Sequence, residues 1–113
     1  TLMDKNKTES HYKMIKGKIY DNSETAFDAV MKIFEEEHPG LAEAIRQKYP
    51  VLSDTEYKVG IMSLTPFSSQ ETADILGKSI NTINKARTNI RKKLEIEEKE
   101  SIEEAISDLL SAN

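Results

Sequence analysis

Residues 68–94 read SSQETADILGKSINTINKARTNIRKKL, and this stretch decides the fold. Ser68 and Glu71 have the spacing of a capping box, in which two side chains satisfy the free amides at the start of a helix. Gly77 is the residue type that ends a helix in the left-handed conformation. Ser79 then caps a longer helix that runs to the end of the stretch. A short helix, a three-residue turn and a long helix predict a helix-turn-helix.

The long helix, about residues 80–94, is amphipathic, and its polar face is basic. Its apolar stripe consists of Ile80, Ile83, Ile90 and Leu94. The segment Ile75–Leu94 contains six cations and no acid. Because the whole chain has a net charge of −4, the rest of the chain carries a charge of −10. A local excess of positive charge is typical of a surface that binds phosphates, even in an acidic protein. A single helix also fits the major groove of duplex DNA.

The residue types of this helix suit two kinds of DNA contact. Asparagine pairs well with adenine, lysine with guanine or phosphate, and threonine with the thymine methyl group. The candidates for base edges are Asn81, Asn84, Lys85 and Thr88. The candidates for phosphate contacts are Ser79, Thr82, Arg91, Lys92 and Lys93. Because asparagine and lysine each serve several bases, the residue types leave the target sequence open.

Two other interpretations concern the same helix. A basic run is commonly just a solvated face, but here the capped short helix, the turn and the acid-free face agree with one another and favour DNA binding. Arg87 is different because it falls within the apolar stripe. For Arg87 we favour an ion pair with Glu71 of the preceding helix over direct contact with DNA.

The helical pattern continues on both sides of this motif. Residues 1–22 fit neither the helical nor the strand period and are predicted to be a flexible arm or linker. Residues 23–50 predict two lead-in helices, with Ser23 as the first N-cap and Pro39 in the first turn of the second. Residues 51–113 predict the helix-turn-helix domain with a C-terminal amphipathic helix. No segment alternates as a strand, so the fold class is all-α.

Capping boxes also mark two of the other helices. The pairs are Ser53 with Glu56 and Ser101 with Glu104, each at the required spacing. These boxes predict helix starts immediately after Ser53 and Ser101.

Composition disfavours catalysis and metal binding. The chain has 113 residues, of which 37% are hydrophobic and 32% charged, and this supply suits one small helical core but not a large cleft. Cysteine is absent, and neither His11 nor His38 has metal-ligand spacing. No glycine-rich phosphate loop or nucleophile motif is present. We therefore expect no enzyme activity, no cofactor and no metal.

The chain also lacks the apolar runs of a membrane span or a secretory signal. We expect this domain to be soluble and cytoplasmic. The expectation also holds if the domain belongs to a longer protein that is linked to a membrane elsewhere.

Three segments together resemble a known family. Residues 52–56, 68–76 and 79–94, less than half of the chain, are similar to the LuxR-type (NarL/FixJ-like) DNA-binding domain of bacterial transcription regulators. The residues shared with the family's pattern are Glu56, Glu71, Ala73, Leu76, Ser79, Thr82, Asn89, Ile90, Lys93 and Leu94. The departures are Pro66 in place of Gly, Asn84 in place of a common Lys, and Ala86 in place of a common His.

The resemblance implies transcriptional regulation through sequence-specific binding of double-stranded DNA. In the family, the positions that match Asn84, Lys85 and Thr88 contact DNA. Homodimers commonly form through the helix after the recognition helix, which here would use Ile102, Ile106, Leu109 and Leu110. For Ile102 and Ile106, we weigh packing onto the domain's own core equally with a dimer contact.

Residues 27–53 also resemble the lead-in of LuxR-type domains at the C-terminus of larger regulators, behind tetratricopeptide repeats or membrane-linked sensor regions. We therefore expect an upstream sensor or repeat region in a longer chain.

Two alternative interpretations stay open. Region 4 of sigma factors has a related helix-turn-helix pattern. A helical protein-interaction or dimerisation module would instead dock its basic helix on an acidic protein. Dependence on salt separates the DNA-binding class from the second alternative, because each neutralised phosphate releases counterions.

Overall fold

The computed structural model describes Tyr12, residues 23–97 and residues 99–111. This part of the chain contains six α-helices and no strand, so the all-α fold class is confirmed. The helices are α1 (Ser23–Glu37), α2 (Leu41–Lys48), α3 (Asp54–Met62), α4 (Ser69–Leu76), α5 (Ile80–Lys93) and α6 (Ile102–Ser111). In the described ranges, no helix has the length and apolarity that crossing a bilayer requires.

Local capping chemistry begins α3 and α4 as the sequence predicts. The Ser53 amide donates to Oε1 of Glu56 over 2.9 Å, and the Glu56 amide donates to Oγ of Ser53 over 3.2 Å. The same two bonds join Ser68 and Glu71, at 2.9 and 3.1 Å. Each box satisfies two amides that the first turn of a helix leaves free.

The third box is built differently. The Glu104 amide donates to Oγ of Ser101 over 3.0 Å, as expected. The return bond, however, comes from the Ser101 hydroxyl, which donates to Oε1 of Glu104 over 3.2 Å. The predicted start of α6 is therefore correct. The donor to Glu104 is the Ser101 hydroxyl and not the Ser101 backbone amide.

Two predicted positions at helix starts are wrong by a small amount. α1 includes Ser23, which was expected to be its N-cap. Pro39 lies in the turn before α2 and not in its first turn, because Gly40 follows with φ of 81°. This left-handed conformation interrupts the helical path, so α2 can begin only at Leu41.

A single apolar core joins all six helices. α5 packs across α3 and α4, α1 packs on α4, and α2 packs on α3 and α6. The core includes the fully buried residues Val30, Phe34, Ile45, Val59, Ile61, Met62, Ile83, Ile90, Ile102 and Ile106. The predicted lead-in helices of residues 23–50 therefore share their core with the helix-turn-helix, and residue 50 does not separate two cores.

Tyr12 also belongs to this core. Its ring is fully buried and meets the ring of Phe67 edge-on, with centroids 5.5 Å apart and planes at 73°. Burial, with a smaller contribution from the charge of Glu37, raises the pKa of the Tyr12 hydroxyl above its ordinary value. The prediction of a flexible arm is wrong at this residue. The rest of residues 1–22 lies outside the described part of the chain.

Candidate nucleic-acid interface

The turn between α4 and α5 has the predicted length and chemistry. Gly77 has φ of 65°, and the Lys78 amide donates to the carbonyl of Ala73 over 2.9 Å, which closes the end of α4. Ser79 caps α5 by accepting from the Thr82 amide over 3.1 Å. Residues 77–79 thus join two helices that pack on each other, as the predicted helix-turn-helix requires.

α5 has one side in the core and one side in solvent. Ile83, Ala86 and Ile90 are buried on the inner side, while Ile80 and Leu94 are half-buried. The exposed outer side, called the α5 face below, consists of Asn81, Asn84, Lys85, Thr88 and Lys92. The structure therefore presents all four base-edge candidates to solvent on a surface without an acid. The phosphate candidates Ser79 and Thr82 are exposed at the start of the same helix.

Arg91 is engaged within the protein. Its two terminal nitrogens donate to the carbonyl of Glu100 over 2.7 Å and to the carbonyl of Glu97 over 2.8 Å. The guanidinium group thus ties the last turns of α5 to the segment that leads into α6. Arg91 was expected to contact phosphate, and the structure instead gives it partners inside the domain.

Lys93, another phosphate candidate, is also engaged. Its Nζ atom lies 2.5 Å from Oε1 of Glu56 and 3.1 Å from the carbonyl oxygen of Val51. Desolvation raises the pKa of the Glu56 carboxyl, but hydrogen bonds from Lys93 and Ser53 and the charge of Lys93 outweigh it, so the pKa lies below its ordinary value. Sequence reasoning missed this contact because the two residues are 37 positions apart.

Arg87 does not form the expected ion pair. Glu71 uses its carboxylate to accept from the Ser68 amide, and no ion pair joins it to Arg87 in the part of the chain that the structure describes. Arg87 is half-buried at the margin of the apolar side of α5. The predicted ion pair between Arg87 and Glu71 is therefore wrong, and nothing in the structure explains why the two side chains stay apart.

The end of α5 contains the one non-glycine residue with a left-handed backbone among the described residues. Glu95 has φ of 53°, a conformation in which glycine is normally preferred. The Ile96 amide donates to the carbonyl of Arg91 over 2.9 Å and closes the helix end. Glu95 and Ile96 line an open depression together with Thr88, Arg91 and Lys92. An acidic residue therefore marks the C-terminal limit of the basic surface.

α6 supplies core residues where a dimer contact was expected. Ile102 and Ile106 are 1% and 0% exposed, so both pack in the chain's own core. This finding agrees with the alternative for these two residues and corrects the dimer assignment, because buried side chains are unavailable to a second copy. The side chains of Leu109 and Leu110 lie outside the described residues.

Lys78 is a cation that the list of candidates lacked. It is exposed in the turn directly before Ser79, whose hydroxyl lies 2.9 Å from that of Thr82. The signal was present in the sequence, since Lys78 is one of the six cations in the acid-free segment.

No protein-family model, curated protein or solved structure matches this chain. The similarity to LuxR-type domains stays a prediction from the sequence motifs.

Proposed function

We propose that this protein binds duplex DNA through the α5 face and serves as the DNA-binding part of a LuxR-like transcription regulator. One observation carries the proposal: α5 is held by its buried side on α3 and α4, and its outer side offers amide, methyl and ammonium groups with no acid among them. Such a helix fits the major groove, where these groups match base edges and phosphates. This role places the domain in the bacterial cytoplasm, with the chromosome.

The chemistry of the face favours a duplex over a single strand. Proteins that hold single strands stack the bases on aromatic side chains. The sequence of α5, INTINKARTNIRKK, contains no aromatic residue. The face instead provides hydrogen-bonding side chains of the kind that read the edges of stacked base pairs.

The internal partners of Arg91 and Lys93 limit the electrostatic contribution. Apart from Lys93, whose ammonium group pairs with Glu56, the exposed cations of residues 75–94 are Lys78, Lys85 and Lys92. Three neutralised phosphates give a slope of log affinity against log salt of about −3, since each contributes about −0.9. A domain that also used Arg91 and Lys93 would give a steeper slope of about −4.5.

Fluorescence anisotropy with a labelled mixed-sequence duplex at several salt concentrations tests the proposal. The test variant is Lys85→Ala/Lys92→Ala, and the matched control is Lys32→Ala/Lys48→Ala, which removes two exposed lysines from α1 and α2. We expect the test variant to lose most of the affinity and to flatten the salt slope by about 2. The control should bind as the unchanged protein does.

Equal loss in both variants would mean that only net charge matters and would overturn the assignment to α5. Absence of binding at low salt, with a folded protein, would favour the helical protein-interaction module.

A dimer formed through Ile102 and Ile106 forms no part of this proposal, because both side chains lie in the core. Dimerisation through Leu109 and Leu110, and an upstream sensor region, stay predictions from the family resemblance.

A further inference from the structure

Thr88 has a defined orientation on the α5 face. Its hydroxyl donates to the carbonyl oxygen of Asn84 over 3.1 Å, one turn earlier in the same helix. The polar group of the side chain is thus satisfied within the helix. The γ-methyl group is then the part of exposed Thr88 that a ligand meets. In the major groove, the matching apolar group is the 5-methyl of thymine.

Arginine, the side chain that most commonly reads guanine, is missing from this face. Arg87 lies half-buried at the margin of the apolar side. Arg91 donates to the carbonyls of Glu97 and Glu100. The α5 face therefore offers no exposed arginine for bidentate recognition of guanine. The central cation of the face is Lys85.

Two exposed asparagines lie in the N-terminal half of the face. Asn81 and Asn84 are three residues apart and so lie on the same side of the helix. The side chain of asparagine pairs with adenine in a bidentate arrangement, in which Nδ2 donates to N7 and Oδ1 accepts from the N6 amino group. From Asn81 to Thr88 the helix rises by about 10 Å, which corresponds to roughly three base pairs of B-DNA.

We infer that the α5 face selects A·T base pairs in the major groove, with the amides of Asn81 and Asn84 on adenine and the Thr88 methyl on the thymine methyl. The inference rests on the proposed DNA binding and gives it a base preference. The base preference is inferred from two contacts that the residue types alone do not reveal. These are the hydrogen bond from Thr88 to the Asn84 carbonyl and the bonds from Arg91 to the carbonyls of Glu97 and Glu100.

Competition with synthetic duplex polymers tests the inference. The full chain is bound to the labelled mixed-sequence duplex, and poly(dA-dT), poly(dG-dC) or poly(dI-dC) is added. Inosine presents the major-groove acceptors of guanine but lacks its minor-groove amino group, so poly(dI-dC) separates the two grooves. We expect poly(dA-dT) to compete at least about tenfold better than the other two polymers.

The thymine methyl is tested separately with poly(dA-dU), which differs from poly(dA-dT) by that group alone. The unchanged protein should prefer poly(dA-dT) by about fourfold, the effect of burying one methyl-sized group. Thr88→Ser removes the γ-methyl and should abolish this preference. Thr88→Val keeps a methyl and should retain it, so the pair of variants separates the methyl from the hydroxyl.

The outcomes distinguish this inference from the proposed function. Equal or better competition by poly(dG-dC) would overturn the inference while DNA binding stands. Competition by poly(dI-dC) at the level of poly(dA-dT) would assign the preference to the minor groove and also overturn it. A methyl preference that survives in Thr88→Ser would remove Thr88 from the contact. Failure to bind the labelled duplex at low salt would instead overturn the proposed function itself.

Discussion

The Nζ atom of Lys93 lies 2.5 Å from Oε1 of Glu56, which joins the last turn of α5 to the first turn of α3. The same carboxylate oxygen accepts from the Ser53 amide, so Glu56 caps α3 and holds the end of α5 at once. The other end of α5 is fixed by the Gly77 turn and the Ser79 cap. Both ends of the proposed recognition helix are therefore anchored to the helices beneath it.

Lys93→Met should lower stability without changing the electrostatics of DNA binding. The Glu56 side chain is only 8% exposed, and without the ammonium group it keeps a charge with one partner fewer. Since Lys93 itself is partly exposed, we expect a loss of about 1–2 kcal/mol in the free energy of unfolding, measured by urea denaturation. The salt slope of duplex binding should stay at about −3.

The neighbouring Lys92→Met is the matched control. Lys92 is exposed on the α5 face. This variant should keep its stability within about 0.5 kcal/mol and flatten the salt slope by about 1. A flatter slope in Lys93→Met would show that Lys93 contacts phosphate after all.

Acid should weaken the same anchor. The folded pKa of Glu56 lies below its ordinary value of 4.5, so the carboxylate contributes stability that is fully present above that value. This stability is lost as the pH falls from 4.5 through the folded pKa, because the proton then binds the unfolded chain more tightly. Glu56→Gln should be less stable than the unchanged protein at neutral pH, and the difference should shrink over that interval.

Glu71→Gln provides a control for Glu56→Gln at neutral pH. Glu71 occupies the same position in a capping box and accepts from the Ser68 amide over 2.9 Å, yet no lysine pairs with it in the described residues. Glu71→Gln should therefore lose less stability at neutral pH than Glu56→Gln. Equal losses in the two variants would assign the effect to the capping box and not to Lys93.

Sequence patterns predicted what depends on near neighbours. The capping boxes at Ser53 and Ser68, the Gly77 turn and the inward face with Ile83 and Ile90 follow from spacings of a few residues, and the structure confirms them. Contacts between distant segments have no such spacing.

The contacts that the sequence patterns missed join segments that are far apart in the chain. Lys93 pairs with Glu56 across 37 positions, and Tyr12 packs on Phe67. Helical periodicity identifies which side of α6 is apolar but not which surface it meets, so Ile106 was open to either a core or a dimer.

Arg91→Ala should separate positioning from phosphate binding. The guanidinium group donates to the carbonyls of Glu97 and Glu100, and its removal leaves both without that donor. We expect a loss of about 1–3 kcal/mol in the free energy of unfolding and an unchanged salt slope. Lys85→Ala should do the reverse, with normal stability and a slope flatter by about 1. A slope change in Arg91→Ala equal to that in Lys85→Ala would return Arg91 to the phosphate contacts.

Ile106→Asp should unfold the protein and not dissociate a dimer. Ile106 is fully buried, and a carboxylate at that position would lose its hydration without a partner, at a cost of about 4 kcal/mol or more. Circular dichroism should show lost helix in this variant. A folded Ile106→Asp with half the mass of the unchanged protein by light scattering would instead support a dimer.

Gly60→Ala probes the same packing from the opposite side. A Cβ atom at Gly60 would meet Cδ1 of Ile106 at 3.5 Å, which is ordinary van der Waals contact. Because Gly60 lies within α3, alanine should stabilise the fold by about 0.5–1 kcal/mol through helix propensity. A loss of stability would mean that α3 and α6 approach more closely than this contact allows. A gain would agree with the space that the structure leaves between Gly60 of α3 and Ile106 of α6.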